Sequence, residues 1–181
     1  MLALVAIFSL VGPVPPGATS LTVLAGKPFY SARLDHGLVP GIDVGAGVDV
    51  SLAGFFRPVV RARLRAFQKG PVQVSLRAAL AYVLPTVRAD GFGPRLLART
   101  GDGELGVAFE WELAQRFAVY AEAAALGETD FKAEHTASFA QGLLGIEWAP
   151  PGPVSLLARG GVIQGAHGRA LVGSAGAVLR F

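Results

Sequence analysis

The sequence predicts an all-β protein, an up-and-down antiparallel transmembrane β-barrel of eight to ten strands, and three observations carry that expectation. Apolar residues recur at every second position in one segment after another, the period of a strand rather than a helix. Connections alternate between tight turns and others that include the two longest. The face opposite the apolar one is made of Gly, Ala, Ser and single charges, which is a poor surface to offer to water.

In chain order, Leu21 to Ala25 and Phe29 to Asp35 are the two short candidates, the second alternating Tyr30, Ala32, Leu34 against Ser31, Arg33, Asp35. A turn at Lys27-Pro28 would join them; both are needed for an even count of ten, and without them eight strands remain. Ile42 to Val50 sets Ile42, Val44, Ala46, Val48 and Val50 against Asp43, Gly45, Gly47 and Asp49. Phe56 to Phe67 opposes Phe56, Pro58, Val60, Ala62, Leu64 and Ala66 to Arg57, Arg61, Arg63 and Arg65. Val72 to Leu84 opposes Val72, Val74, Leu76, Ala78, Leu80, Tyr82 and Leu84 to Gln73, Ser75, Arg77 and small residues. In Glu104 to Ala114 the apolar face is Leu105, Val107, Phe109, Trp111 and Leu113. Phe117 to Leu126, Ser138 to Trp148, Val154 to Ile163 and Leu171 to Phe181 complete the set. Most of these segments have the length of a tilted membrane-crossing strand rather than that of a soluble sheet.

The connections divide by end. Gly37 to Gly41, Lys69 to Pro71, Ala114 to Arg116 and Pro150 to Pro153 are tight; Pro85 to Gly103 and Gly127 to Ala137 are long. Trp111, Phe117, Trp148 and Phe181 all fall beside the tight turns, as one interfacial girdle requires.

Composition agrees. The 181 residues are 52% hydrophobic and 16% charged, with 24 Gly, 12 Pro and no Cys. So apolar a chain is not disordered, and a disulfide scaffold or thiolate metal site is excluded. Net charge is +3 and the cations are scattered, so there is no basic block to bind nucleic acid. Met1 to Gly12 is an apolar run followed by the Pro-rich PVPPGATS. It reads as an export leader over residues 1–19, processed near Gly17 to Ser20, with the barrel over 20–181.

Which face meets which medium follows from Lys. A lipocalin-like soluble barrel, the main alternative, would bind a hydrophobic ligand inside and need a Lys- and Glu-rich exterior. Three Lys in the whole chain do not supply one, so the apolar face is assigned to lipid and the charged face to the lumen.

The last strand, ALVGSAGAVLRF, ends in Phe181 with Leu179, Ala177, Ala175 and Gly173 at every second position before it. On these residues the chain resembles the small outer-membrane β-barrels of Gram-negative bacteria, of OmpA/OmpX-like architecture, over roughly Phe29 to Phe181. That resemblance implies residence in the bacterial outer membrane and a terminal aromatic, Phe181, read by the barrel-assembly machinery. Outer-membrane lipid is then the expected surrounding, with lipopolysaccharide a candidate contact, and the expected state is a monomer.

Inside, Arg57, Arg61, Arg63, Arg65 and Arg77 form a basic wall. Glu104, Glu110, Glu112, Glu122 and Glu147 form an acidic one, with Asp43 and Asp49 on the other flank. Charges in a narrow lumen must pair or stay hydrated, so the expectation is a salt-bridge plug; a thin charge-selective pore is the alternative. Chemistry is weakly signalled. GDGELG (Gly101 to Gly106) matches a dinucleotide fingerprint but opens a strand, with no helix to hold a pyrophosphate. His36, His135 and His167 sit singly, without metal-ligand spacing, and no cofactor is expected. A membrane-embedded lipid hydrolase would need His135 and Ser138 together, near Glu147, but a spacing of three puts them on opposite faces. The loop after Pro85, with Arg88, Arg95 and Arg99 against Asp90 and Asp102, is the surface expected to face lipopolysaccharide. The expected function is a structural or small-channel membrane protein, not an enzyme.

Overall fold

Every alternating segment forms a strand in the computed structural model, which describes residues 13–27, 29–51, 55–85, 100–130, 135–165 and 168–181. Ten strands follow one another: β1 (Thr19–Lys27), β2 (Phe29–Val39), β3 (Ile42–Ser51), β4 (Phe55–Lys69), β5 (Val72–Pro85), β6 (Thr100–Ala114), β7 (Phe117–Asp130), β8 (His135–Trp148), β9 (Val154–Gly165) and β10 (Gly168–Arg180). All neighbours are antiparallel, and β1 pairs with both β2 and β10, closing the barrel. The count is ten rather than eight because β1 and β2 pair into the wall between β10 and β3, so both short alternating segments are full members of the ladder. Of the Lys27-Pro28 turn, Pro28 lies outside the described residues.

Two strand-end expectations change. The long connections begin later and end earlier than the apolar pattern suggests, because β6 starts at Thr100, β7 runs to Asp130 and β8 starts at His135. There the outward positions are glycine or small hydroxyl residues, with Gly103 directly opposite Gly127 and Thr129 opposite Thr136. The ladder continues while the apolar signal that marks it fades. Asp102, assigned above to the loop, therefore belongs to β6; Arg88, Asp90, Arg95 and Arg99 lie outside the described residues.

At the tight-turn end, Gly41 and Gly70 adopt φ of 83° and 57°, conformations that a side chain disfavours, which fixes the hairpins β2–β3 and β4–β5. Gly152 and the prolines around it turn β8 into β9.

Side chains sort cleanly. The outward set includes Leu34, Val60, Leu80, Leu105, Leu144 and Leu171, all exposed. Trp111 and Trp148 are exposed beside the tight turns, with Phe117 half-buried directly across from Trp148. Phe181 is exposed too, its backbone bonded to Thr19 in both directions at 2.8 and 2.9 Å. A second outward aromatic row, not anticipated from the sequence, sits at the other end. It runs Tyr30, Val50, Phe56, Leu84 across consecutive ladders, with Tyr82 beside it. Trp111 and Gly101, the partner of Tyr82, are ten residues apart on β6. That is about 33 Å of strand at about 3.3 Å per residue, and about 25 Å measured along the axis of a barrel tilted by about 40°. Between the two rows the outward positions carry no Asp, Glu, Lys or Arg among the described residues.

Candidate functional site: the charged lumen

Strand alternation sends the second set of side chains inward, and there the charges are buried. Arg33, Asp43, Asp49 and Arg57 are only 0–2% exposed. Isolated ions could not persist in such a place, and each is met by an opposite charge.

On β2, β3 and β4 the partners are Arg and Asp. Arg63 donates twice to Asp43, from Nε at 2.9 Å and Nη2 at 2.5 Å, the two-point geometry that suits a planar guanidinium. Arg61 does the same to Asp35, its Nε at 2.7 Å from Oδ1 and its Nη2 on Oδ2. Asp49 collects three donors: Arg33 at 2.5 Å, Arg57 at 3.0 Å and the Ser31 hydroxyl at 2.7 Å. Arg57 then reaches past β5 to Asp102 on β6 at 2.7 Å, linking this half of the lumen to the next.

The second half turns on Arg77. Its two terminal nitrogens each approach a carboxylate at 2.6 Å, Glu104 on β6 and Glu122 on β7. Glu122 also lies 3.6 Å from Arg159 on β9, whose Nε donates to Ser174 at 3.0 Å. Near the tight-turn end Arg180 bonds Glu147 at 2.6 Å and the Ser155 hydroxyl at 2.5 Å.

Glycines make this crowding possible. Gly45 on β3 is the direct partner of both Asp35 and Arg61, so the two charges meet above a residue with no side chain. A Cβ there would land on the Asp35 carboxylate. Gly106 plays the same part under Arg77, where a Cβ would come within 2.8 Å of Nε. Gly145 lies beneath the ring of Tyr120, Gly161 beneath Leu143 and Gly165 beneath Phe139, each pair directly opposite across a ladder. Apolar groups share the interior: Leu126, Leu143, Ile163 and Val172 cluster with Phe139, and Leu24, Leu157 and Val178 form a second group.

The sequence-derived residues thus separate. Arg57, Arg61, Arg63, Arg77, Glu104, Glu122, Glu147, Asp43 and Asp49 are inside and ion-paired. Arg65 and Glu110 are half-buried towards the tight turns. Glu112 is exposed at the irregularity where β6 leaves its ladder with β7, so it stands apart from the buried set. Arg33, Asp35, Arg159 and Arg180 are lumen charges beyond the sequence-derived set, and Asp102 joins them from β6 instead of the loop. Arg33 and Asp35 carried the signal, since they alternate with Tyr30, Ala32 and Leu34 as the other inward charges do.

As to chemistry, Ser138 is exposed. It is separated from His135 by the odd spacing within β8, and the His135 side chain lies outside the described residues. His36 accepts or donates one bond with the Thr19 hydroxyl at 3.0 Å. Among the described residues no group of His, Asp and Glu is arranged to hold a metal ion.

No family model matches the chain, and no curated protein matches it. Among solved structures it is similar to OmpTdeltaL8, a loop-deletion mutant of OmpT, an outer membrane protein of Vibrio cholerae. The identity is 13% and the TM-score 0.47, over 84% of this chain and 53% of that one. Outer-membrane expressed OmpT of the same organism matches at 9% identity and a TM-score of 0.45, over 93% and 62%. The NanC porin matches at 10% identity and a TM-score of 0.45, over 90% and 98%. The chain thus spans between half and two thirds of the length of the two OmpT chains.

Proposed function

We propose that this protein is a bacterial outer-membrane barrel whose lumen is plugged by its own ion pairs, a structural element rather than a transporter or an enzyme. The burial of Arg33, Asp43, Asp49 and Arg57 at 0–2% exposure carries the reading. A conducting pore keeps its lining charges in contact with water, whereas these are closed off from it. The apolar outer band of about 25 Å between two aromatic rows supports lipid as the surrounding medium. An apolar exterior around a charged interior is the inverse of a soluble ligand-carrying barrel.

In this reading outer-membrane lipid contacts Leu80, Leu105 and Leu144, and Phe181 presents the terminal aromatic to the assembly machinery. The connection between β5 and β6 meets lipopolysaccharide, and the barrel works as a monomer without a cofactor.

Two measurements test it. The folded protein requires detergent or lipid and migrates faster on a gel before heating than after. In planar bilayers it gives no discrete conductance steps, while the Asp35→Ala, Arg61→Ala double variant does. Regular steps from the unmodified protein would overturn the plug in favour of the narrow pore.

A further inference from the structure

The segment ahead of β1 is built into the barrel. Ala18 N–H donates to the Pro15 carbonyl at 3.0 Å across Pro16 and Gly17, and Gly17 has φ of +75°. Proline followed by a left-handed glycine inside a four-residue hydrogen-bonded loop is the signature of a type II turn. The PPGA sequence therefore encodes a reversal that folds Pro13 and Val14 back under the lumen, where both are buried.

Every backbone donor of this segment is met. Pro13, Pro15 and Pro16 have no N–H to satisfy. Of the three donors that remain, Ala18 is used in the turn, Gly17 donates to the Gly37 carbonyl at 2.9 Å, and Val14 donates to Asp43 Oδ2 at 2.7 Å. Gly37 N–H returns a bond to the Ala18 carbonyl at 3.0 Å. A segment whose every donor is met is specified as structure, which a leader's tail has no need to be.

The barrel wall is shaped to receive it. Gly37, on β2, is buried, and a Cβ at that position would run into the carbonyls of Val14 and Pro15. Asp43, fully buried, divides its carboxylate between Arg63 and the Val14 amide. Pro16 and Gly37 form a parallel bridge, so the segment lies alongside β2 at the tight-turn end.

We propose that Pro13 to Ala18 is a built-in strap that closes the tight-turn mouth of the lumen and is retained in the mature protein. Processing of the chain then falls ahead of Pro13, not between Gly17 and Ser20. The strap stands on backbone geometry and holds whether or not the ion pairs above it block conduction.

The chain has no Cys, so single thiols report docking directly. Two variants of the full chain, Val14→Cys (buried in the strap) and Pro15→Cys (exposed beside it), are treated with a charged thiol reagent after folding in detergent. The Val14→Cys thiol is expected to react at least ~10-fold more slowly, since exposure controls access. Adding Gly37→Ala, or Gly17→Val should the first fail to fold, is expected to bring the two rates together. Intact mass of protein recovered from outer membranes should include Pro13 to Ala18. Equal rates without the second substitution, continued protection of Val14→Cys with it, or a native chain beginning at Thr19 would each overturn the proposal. Bilayer conductance plays no part in these outcomes, so the plug reading stands or falls separately.

Discussion

The carboxylate of Asp35 and the guanidinium of Arg61 join β2 to β4 across the backbone of Gly45, which is in register with both. The barrel wall is thereby cross-linked at a second neighbour, a linkage that main-chain ladders cannot supply. Arg57 with Asp102 and Arg77 with Glu122 repeat the arrangement over β5 and β6. Buried charges of this kind contribute little net stability when whole, but breaking one exposes a large desolvation cost.

Gly45→Ala is accordingly expected to destabilise the barrel by about 3–5 kcal/mol, the cost of leaving a buried charge without its partner. Gly103→Ala is the control, because an added Cβ there meets only Leu80 at 3.9 Å; its effect should stay within about 0.5 kcal/mol. Urea midpoints of the folded barrel in detergent, read by tryptophan fluorescence, would separate the two.

Depth along the outer face gives a second test. Leu105 is exposed midway between the aromatic rows, whereas Leu113 lies beyond Trp111. An Arg at position 105 should cost about 2–4 kcal/mol of folding free energy in lipid, and at position 113 about 0–1 kcal/mol. Equal costs at the two depths would count against a lipid-facing band.

Tyr120 offers a test of lumen packing. Its ring is buried over Gly145, and its hydroxyl has no hydrogen-bond partner among the described residues. Tyr120→Phe should therefore be neutral or mildly stabilising, since it removes a buried unsatisfied group. Tyr120→Ala should cost about 3–5 kcal/mol through the cavity it leaves. Thermal unfolding followed on heat-modifiable gels would rank the three proteins.

Trp111 and Trp148 sit at one border of the apolar band. In vesicles, lipids brominated near the carbonyl end of the acyl chain should quench their fluorescence more strongly than lipids brominated near the terminal methyl. The reverse order would place the girdle at the wrong depth.

Much of this architecture was legible in the sequence, and the parts that were not share a cause. Period-two alternation places Leu105 outside and Glu104 inside without reference to any other strand, so strands and faces could be read locally. Pairing could not. Arg61 and Arg63 look towards the Glu-rich wall in sequence, yet their carboxylates are Asp35 and Asp43, brought near by β2 and β3. Glu112 follows the inward rule of its strand but lies where the ladder breaks, so periodicity overextends it by one position. The docking of Val14 and Gly17 was not legible because their partners, Asp43 and Gly37, are tertiary ones, while the prolines around them read locally as the end of a leader.

The glycines beneath the lumen side chains also decide alignment. Inside–outside alternation forbids a slip of one residue between strands but is blind to a slip of two. Sliding β8 by two against β7 would bring Tyr120 opposite Leu143 or Glu147 instead of Gly145. The same slip at β9 would set Leu143 against Arg159 or Ile163 instead of Gly161. Tyr120 and Leu143 each lose the empty slot on a slip of two in either direction. The barrel therefore carries a lock on its own shear, and it is written in pairs of residues rather than in either strand alone.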